Sequence, residues 1–172
     1  MSDPEGWNGS RGIGTYEETI FSRGITLILG VTTAVFFLLW IYESFFGWGW
    51  SEPFQRWIWL GMFLFFLGMT VNFSKLSVKM SSDSLTVGYG IIKKKIPWGK
   101  VEDCYVDEDS ALSYGGWGIR FTRVRGKWRT VYNVIGGPRV VVTLNEGFVD
   151  EIAFSTKKPE KAIKTIKENI GG

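Results

Sequence analysis

Two apolar runs lie between Gly24 and Phe73, and beyond them apolar residues alternate with polar ones. The runs, Gly24–Tyr42 and Trp57–Phe73, hold no formal charge. Wound as a helix at about 1.5 Å per residue, the first spans roughly 28 Å, close to the hydrocarbon thickness of a bilayer. The second is at the short limit and is extended by its flanks. The pattern predicts a two-helix transmembrane hairpin over 24–73. Residues 1–23 are polar and Gly-rich and read as a flexible tail, with Tyr16 to Arg23 at the membrane interface. No small-residue cleavage pattern follows the first run, so it reads as an uncleaved anchor. Gly30 with Ala34, and Gly61 with Gly68, are small residues on one face of each helix. They predict a close helix–helix approach, or simply reflect how common glycine is in such helices.

After Phe73 the period becomes two. Leu76, Val78 and Met80 form a strand, Ser81–Ser84 a turn, and Leu85, Val87 and Tyr89 a returning strand. Gly88 and Gly90 suggest a bend or bulge before a strand at Ile91–Ile96. Pro97–Lys100 breaks the run, and Val101–Val106 is a further strand. Trp117, Ile119 and Phe121 alternate before a turn at Gly126-Lys127, and Trp128–Val134 runs back. Val140, Val142 and Leu144 alternate, and Phe148–Phe154 is the last strand. Pro159 opens a helix whose apolar face is Ala162, Ile163, Ile166 and Ile170, closed by Gly171. The class is α+β: a membrane hairpin, then a domain over 75–172 in which an antiparallel sandwich or open barrel is plugged by one C-terminal helix.

Composition sharpens the location. Trp40, Trp48, Trp50, Trp57 and Trp59 gather in or beside the hairpin loop, where tryptophan anchors a bilayer interface. Arg11 and Arg23 precede the first helix, and Lys75, Lys79 and Lys93–Lys95 follow the second. Arg56 is the one base in the loop, beside Glu43 and Glu52. That bias puts both termini in the cytoplasm and the loop Glu43–Arg56 outside. The sequon Asn72-Phe-Ser74 falls at the membrane and is discounted. A net charge of +3 is too small to argue for nucleic acid. The single cysteine, Cys104, allows no internal disulfide, and the absence of histidine removes Ser-His-Asp and Cys-His catalysis. No cofactor or metal is implied.

Several segments resemble the bacterial PH domain family. They are Ile96-Pro97-Trp98, Val101-Glu102, Tyr114–Arg120 (YGGWGIR), Tyr132-Asn133-Val134 with Gly136-Gly137, Val140–Leu144, and the Pro159-Glu160 helix start. The likeness covers about residues 75–170. It implies a PH-like fold behind a membrane anchor, and a role in binding proteins or lipids. PH domains that bind phosphoinositides place Lys and Arg in the first strand–turn–strand, and here that turn is Ser81–Ser84, without a base.

Two basic clusters are candidate sites. Lys93, Lys94 and Lys95 either meet anionic headgroups or protect an exposed sheet edge. Arg120, Arg123, Arg125, Lys127 and Arg129 lie across a predicted hairpin, forming either one patch for phosphate or acidic partners or a polar hairpin tip. Gly115, Gly116 and Gly118 lack the context of a nucleotide loop and read as tight geometry around a core Trp117. Asp107-Glu108-Asp109 lacks the spacing of a calcium loop and reads as solvated. The expected function is non-enzymatic: a scaffold or accessory subunit at the cytoplasmic membrane surface, with the bilayer and a membrane protein or a second copy as partners. The alternative is recognition of anionic lipid headgroups.

Overall fold

The computed structural model describes residues 15–47, 53–109, 116, 118–134 and 136–171. The chain enters through a strand, β1 (Tyr16–Phe21), which leads directly into helix α1 (Arg23–Phe46). Helix α2 (Pro53–Phe73) returns and leads directly into β2 (Lys75–Met80). β1 pairs antiparallel with β2 from Phe21↔Lys75 to Tyr16↔Met80, and Ser22 N–H donates to the Ser74 carbonyl at 2.8 Å. The helical hairpin is thus the connection of a β-hairpin. This corrects the tail expected to reach Arg23: residues 16–21 are sheet. Tyr16 and Ile20 face the core, while Glu18, which breaks the apolar alternation, takes hydrogen bonds from Thr156 Oγ1 (2.6 Å) and Lys157 N (3.0 Å). Residues 1–14 lie outside the described part.

Both helices are long and apolar enough to cross a membrane, and their outer faces are bare. Aromatic rings and one polar pair hold them together. Phe36 stacks on Phe66 at 5.1 Å and on Trp59 at 6.0 Å, and Phe37 meets Phe63 at 5.1 Å. Thr33 and Thr70 hydroxyls lie 3.0 Å apart, each also bonded to a carbonyl one turn back. The glycines do not mark a close approach. A Cβ added at Gly30, Gly61 or Gly68 would meet nothing within 4 Å, because the rings set the spacing.

β3 (Ser84–Tyr89) and β4 (Ile92–Pro97) complete a four-stranded sheet in the order β1-β2-β3-β4. The second sheet holds β5 (Val101–Asp107), β6 (Gly118–Val124), β7 (Lys127–Asn133), β8 (Arg139–Leu144) and β9 (Glu151–Ser155), in the order β5-β8-β9-β7-β6. It is mixed rather than antiparallel throughout: β9 pairs antiparallel with β8 and parallel with β7. β9 fills the gap that the β7–β8 connection leaves. All five of its residues are buried, as a central strand covered on both faces requires. It begins at Glu151, three residues later than the sequence reading placed it. Leu76, Val78, Val87, Val140, Ile152 and Phe154 form the centre of the core between the sheets. Helix α3 (Pro159–Ile170) packs on β5 and β8 through Ala162, Ile163, Ile166 and Ile170, as its pattern predicts.

Gly88 allows β3 and β4 to approach; a Cβ there would collide with the Ile92 carbonyl and the Lys93 Cα. Gly88→Ala should therefore destabilise the domain by about 1–3 kcal/mol. Gly99→Ala, in open space, should leave it nearly unchanged. Thermal unfolding of the detergent-solubilised protein checks both.

Candidate functional site

The β6–β7 pairing decides what becomes of the basic hairpin. Opposed residues in an antiparallel pair share a face, and successive residues alternate. The register is Arg120↔Val131, Thr122↔Arg129, Arg123↔Trp128 and Val124↔Lys127. Arg120, Lys127 and Arg129 therefore share one face, and Arg123 is on the other with Phe121 and Trp128. Arg125 sits in the turn at φ +49°. Of the two alternatives, the pairing does not gather these charges on one face.

Arg129 is also withdrawn from solvent, at 3% exposure. Its Nε and Nη2 donate to Glu151 Oε2 at 2.8 and 2.6 Å, and Nη2 also donates to the Tyr105 hydroxyl at 3.1 Å. Nη1 lies 3.6 Å from Asp107 and 3.7 Å from Asp109. Arg139, buried too, donates from Nε to Asp107 at 2.7 Å and from Nη2 to the Asp109 carbonyl. Lys127 and Arg125 join at the rim, each 3.5 Å from Glu151 and Asp109 respectively. This network roofs a small second core of Val131, Val141 and Ala153. The acidic run expected in a solvated loop instead supplies Asp107 and Asp109 to it. A polar cleft of about 360 Å³ opens beside Tyr105, Asp109, Arg125 and Arg129. Burial raises the Tyr105 phenol above its ordinary pKa.

Lys93, Lys94 and Lys95 lie on β4, the outer strand of the first sheet. Lys93 and Lys95 stand exposed on the outer face. Lys94 opposes the buried Val87 and is half-buried between Ile92 and Ile96. Lysines so placed discourage another strand from pairing there.

The surface that sequence reasoning missed is aromatic. Phe121 stacks on Trp128 at 4.8 Å and 8°, and on Phe148 at 5.7 Å and 9°. Phe148 is 78% exposed, Phe121 49% and Trp128 37%. The Arg123 guanidinium lies over Trp128, 5.7 Å from the ring centre. The 145–150 bend holds Phe148 there: Asp150 N–H donates to the Trp128 carbonyl, and Trp128 N–H to Asp150 Oδ2 at 2.7 Å. Phe148 also lines a neighbouring cleft of about 350 Å³, with Lys94, Lys95, Lys100 and Leu144. The sequence reading gave Phe121 only a place in an alternating strand, and put Phe148 in the last strand, which begins at Glu151. The usable signal was three rings flanking two turns.

Of the tryptophans expected at the interface, Trp40 and Trp59 pack beside Phe37 and Phe36, and Trp57 is exposed near the start of α2. Trp48 and Trp50 lie outside the described residues, as does Trp117. No family model, curated protein or solved structure matches the chain.

Arg129→Ala leaves Glu151 buried without its main partner, Asp107 keeping Arg139, and should cost about 3–5 kcal/mol. Arg125→Ala removes an exposed pair and should cost about 0–1 kcal/mol. Chemical denaturation of each variant separates the two. A second expectation concerns pH. Burial pushes the Cys104 thiol up to about 11 and the Tyr16 and Tyr89 phenols up to about 12. The unfolded chain releases these protons before the folded one does, so stability should fall as pH rises through about 9 to 12. Melting temperature against pH, with Cys104→Ala flattening the first part of the decline, tests this.

Proposed function

We propose that the hairpin crosses the membrane twice with both termini cytoplasmic, and that the sheets form a PH-like scaffold binding a protein partner at the membrane surface. The observation that carries this reading is the exposed stack of Phe121, Trp128 and Phe148 beside a lysine-rimmed cleft. Solvent-facing aromatic rings with an arginine over one of them are typical of binding hot spots. Lys94 and Lys95 in the cleft, where Lys100 pairs with Glu146, and Arg123 over Trp128 fit a segment that carries both an apolar side chain and acidic residues. Two facing sheets followed by a C-terminal helix support the PH-like reading. The reading as a non-enzyme rests on the ion-pair network, whose charged groups engage one another.

This favours a protein partner over anionic lipid at the basic hairpin, because that hairpin divides its charges between two faces. A photo-crosslinking residue at Phe148 in native membranes should give one discrete adduct, lost on Trp128→Ala. The same probe at Lys164, on α3, should give none. An adduct that forms equally at both positions, or that survives Trp128→Ala, would count against the aromatic site. An adduct of twice the chain's own mass would identify the partner as a second copy.

A further inference from the structure

We propose that the β3–β4 turn is a membrane-insertion site. Phe21, Ile91 and Ile92 enter the leaflet surface beside the hairpin, and Arg23, Lys75 and Lys93 face its anionic headgroups. The proposal rests on the hairpin being membrane-spanning and goes beyond the partner site at the aromatic stack.

The turn's height is set by α2. Ile91 N–H donates to Asn72 Oδ1 at 2.8 Å, and Asn72 is in the last turn of that helix. Gly90, at φ +46°, leaves the space that the Asn72 side chain occupies. Phe73, the last residue of α2, packs its ring 5.6 Å from Tyr89, the last residue of β3. The turn is therefore level with the helix end, and a bilayer that covers α2 to Phe73 reaches it.

Its composition fits that position. Ile91 is 91% exposed, Ile92 46% and Phe21 49%. Tight turns between strands usually carry Asn, Asp, Ser or Gly at the tip, and a bare isoleucine there is costly in water. Bases follow at headgroup level. Arg23 and Lys75 flank the tied Ser22–Ser74 pair, and Lys93 comes two residues after Ile91. In the first three cross-strand rows above the helices there is no acidic residue. The next row holds Glu18, whose carboxylate is bonded to Thr156 and Lys157. An apolar tip followed by unopposed bases is the profile of an interfacial segment on an anionic membrane.

The test is spin labelling of the full-length protein in nanodiscs, with Cys104 replaced by alanine. Single cysteines replace Ile91, Leu64 in the middle of α2, or the exposed Glu102 on β5. The label at 91 should be open to oxygen and shielded from an aqueous nickel chelate, at a shallower depth than the label at 64. If 64 is in lipid while 91 matches 102, insertion of the turn is overturned and the hairpin reading stands. If 64 is aqueous as well, both fall. Lys75→Gln with Lys93→Gln should move the label at 91 towards water in discs containing phosphatidylglycerol, and not in pure phosphatidylcholine. The same position in both lipids would overturn the headgroup contact.

Discussion

The antiparallel pairing of β1 with β2 is the constraint on which the rest of the structure depends. These strands lie on either side of the two helices and join through six cross-strand pairs and the Ser22–Ser74 hydrogen bond. Because they are neighbours, the helices must leave and return at adjacent points on one sheet edge. Because no residue beyond Ser22 or Ser74 separates strand from helix, the sheet inherits its orientation from the hairpin. Tyr89 carries that orientation inward: its ring meets Phe73, and its hydroxyl donates to the Asn133 carbonyl on the second sheet.

The charged groups divide into two populations. One is internal. Arg129, Arg139, Asp107 and Glu151 neutralise one another over three small apolar residues, and their value is to hold β5, β7, β8 and β9 in register. A buried network of this kind is costly to break. The other population is outward and mostly lysine: Lys75, Lys93 and Lys95 on the first sheet, with Lys94 and Lys100 at the cleft. The outward charge is therefore mostly lysine beside three stacked rings, with Arg120, Arg123 and Arg125 exposed on the hairpin.

Much of the fold was legible in the sequence, since period-two alternation at Leu76–Met80 and helical spacing at Ala162–Ile170 are local signals. β1 was hidden because Glu18 occupies an inward position, and its partners, Thr156 and Lys157, are far along the chain. The parallel placement of β9 was hidden because a strand buried on both faces has no alternation to read. At the candidate site, strand parity separates Arg123 from Arg129, but parity cannot say which face is roofed by carboxylates. The exposure of Phe121 was hidden because alternation identifies a face without showing where the opposing sheet ends.

The β-hairpin arrangement also determines how the molecule carries load. A pull on both helices along the strands acts on β1 and β2 together and loads the β2–β3 ladder in shear, with its bonds sharing the force. A sideways parting of the helices acts differently. It opens the Ser22–Ser74 bond first and then peels β1 from β2 one pair at a time, ending at Tyr16. The domain is thus stiff towards forces normal to the hairpin's base and compliant towards lateral strain between its two helices.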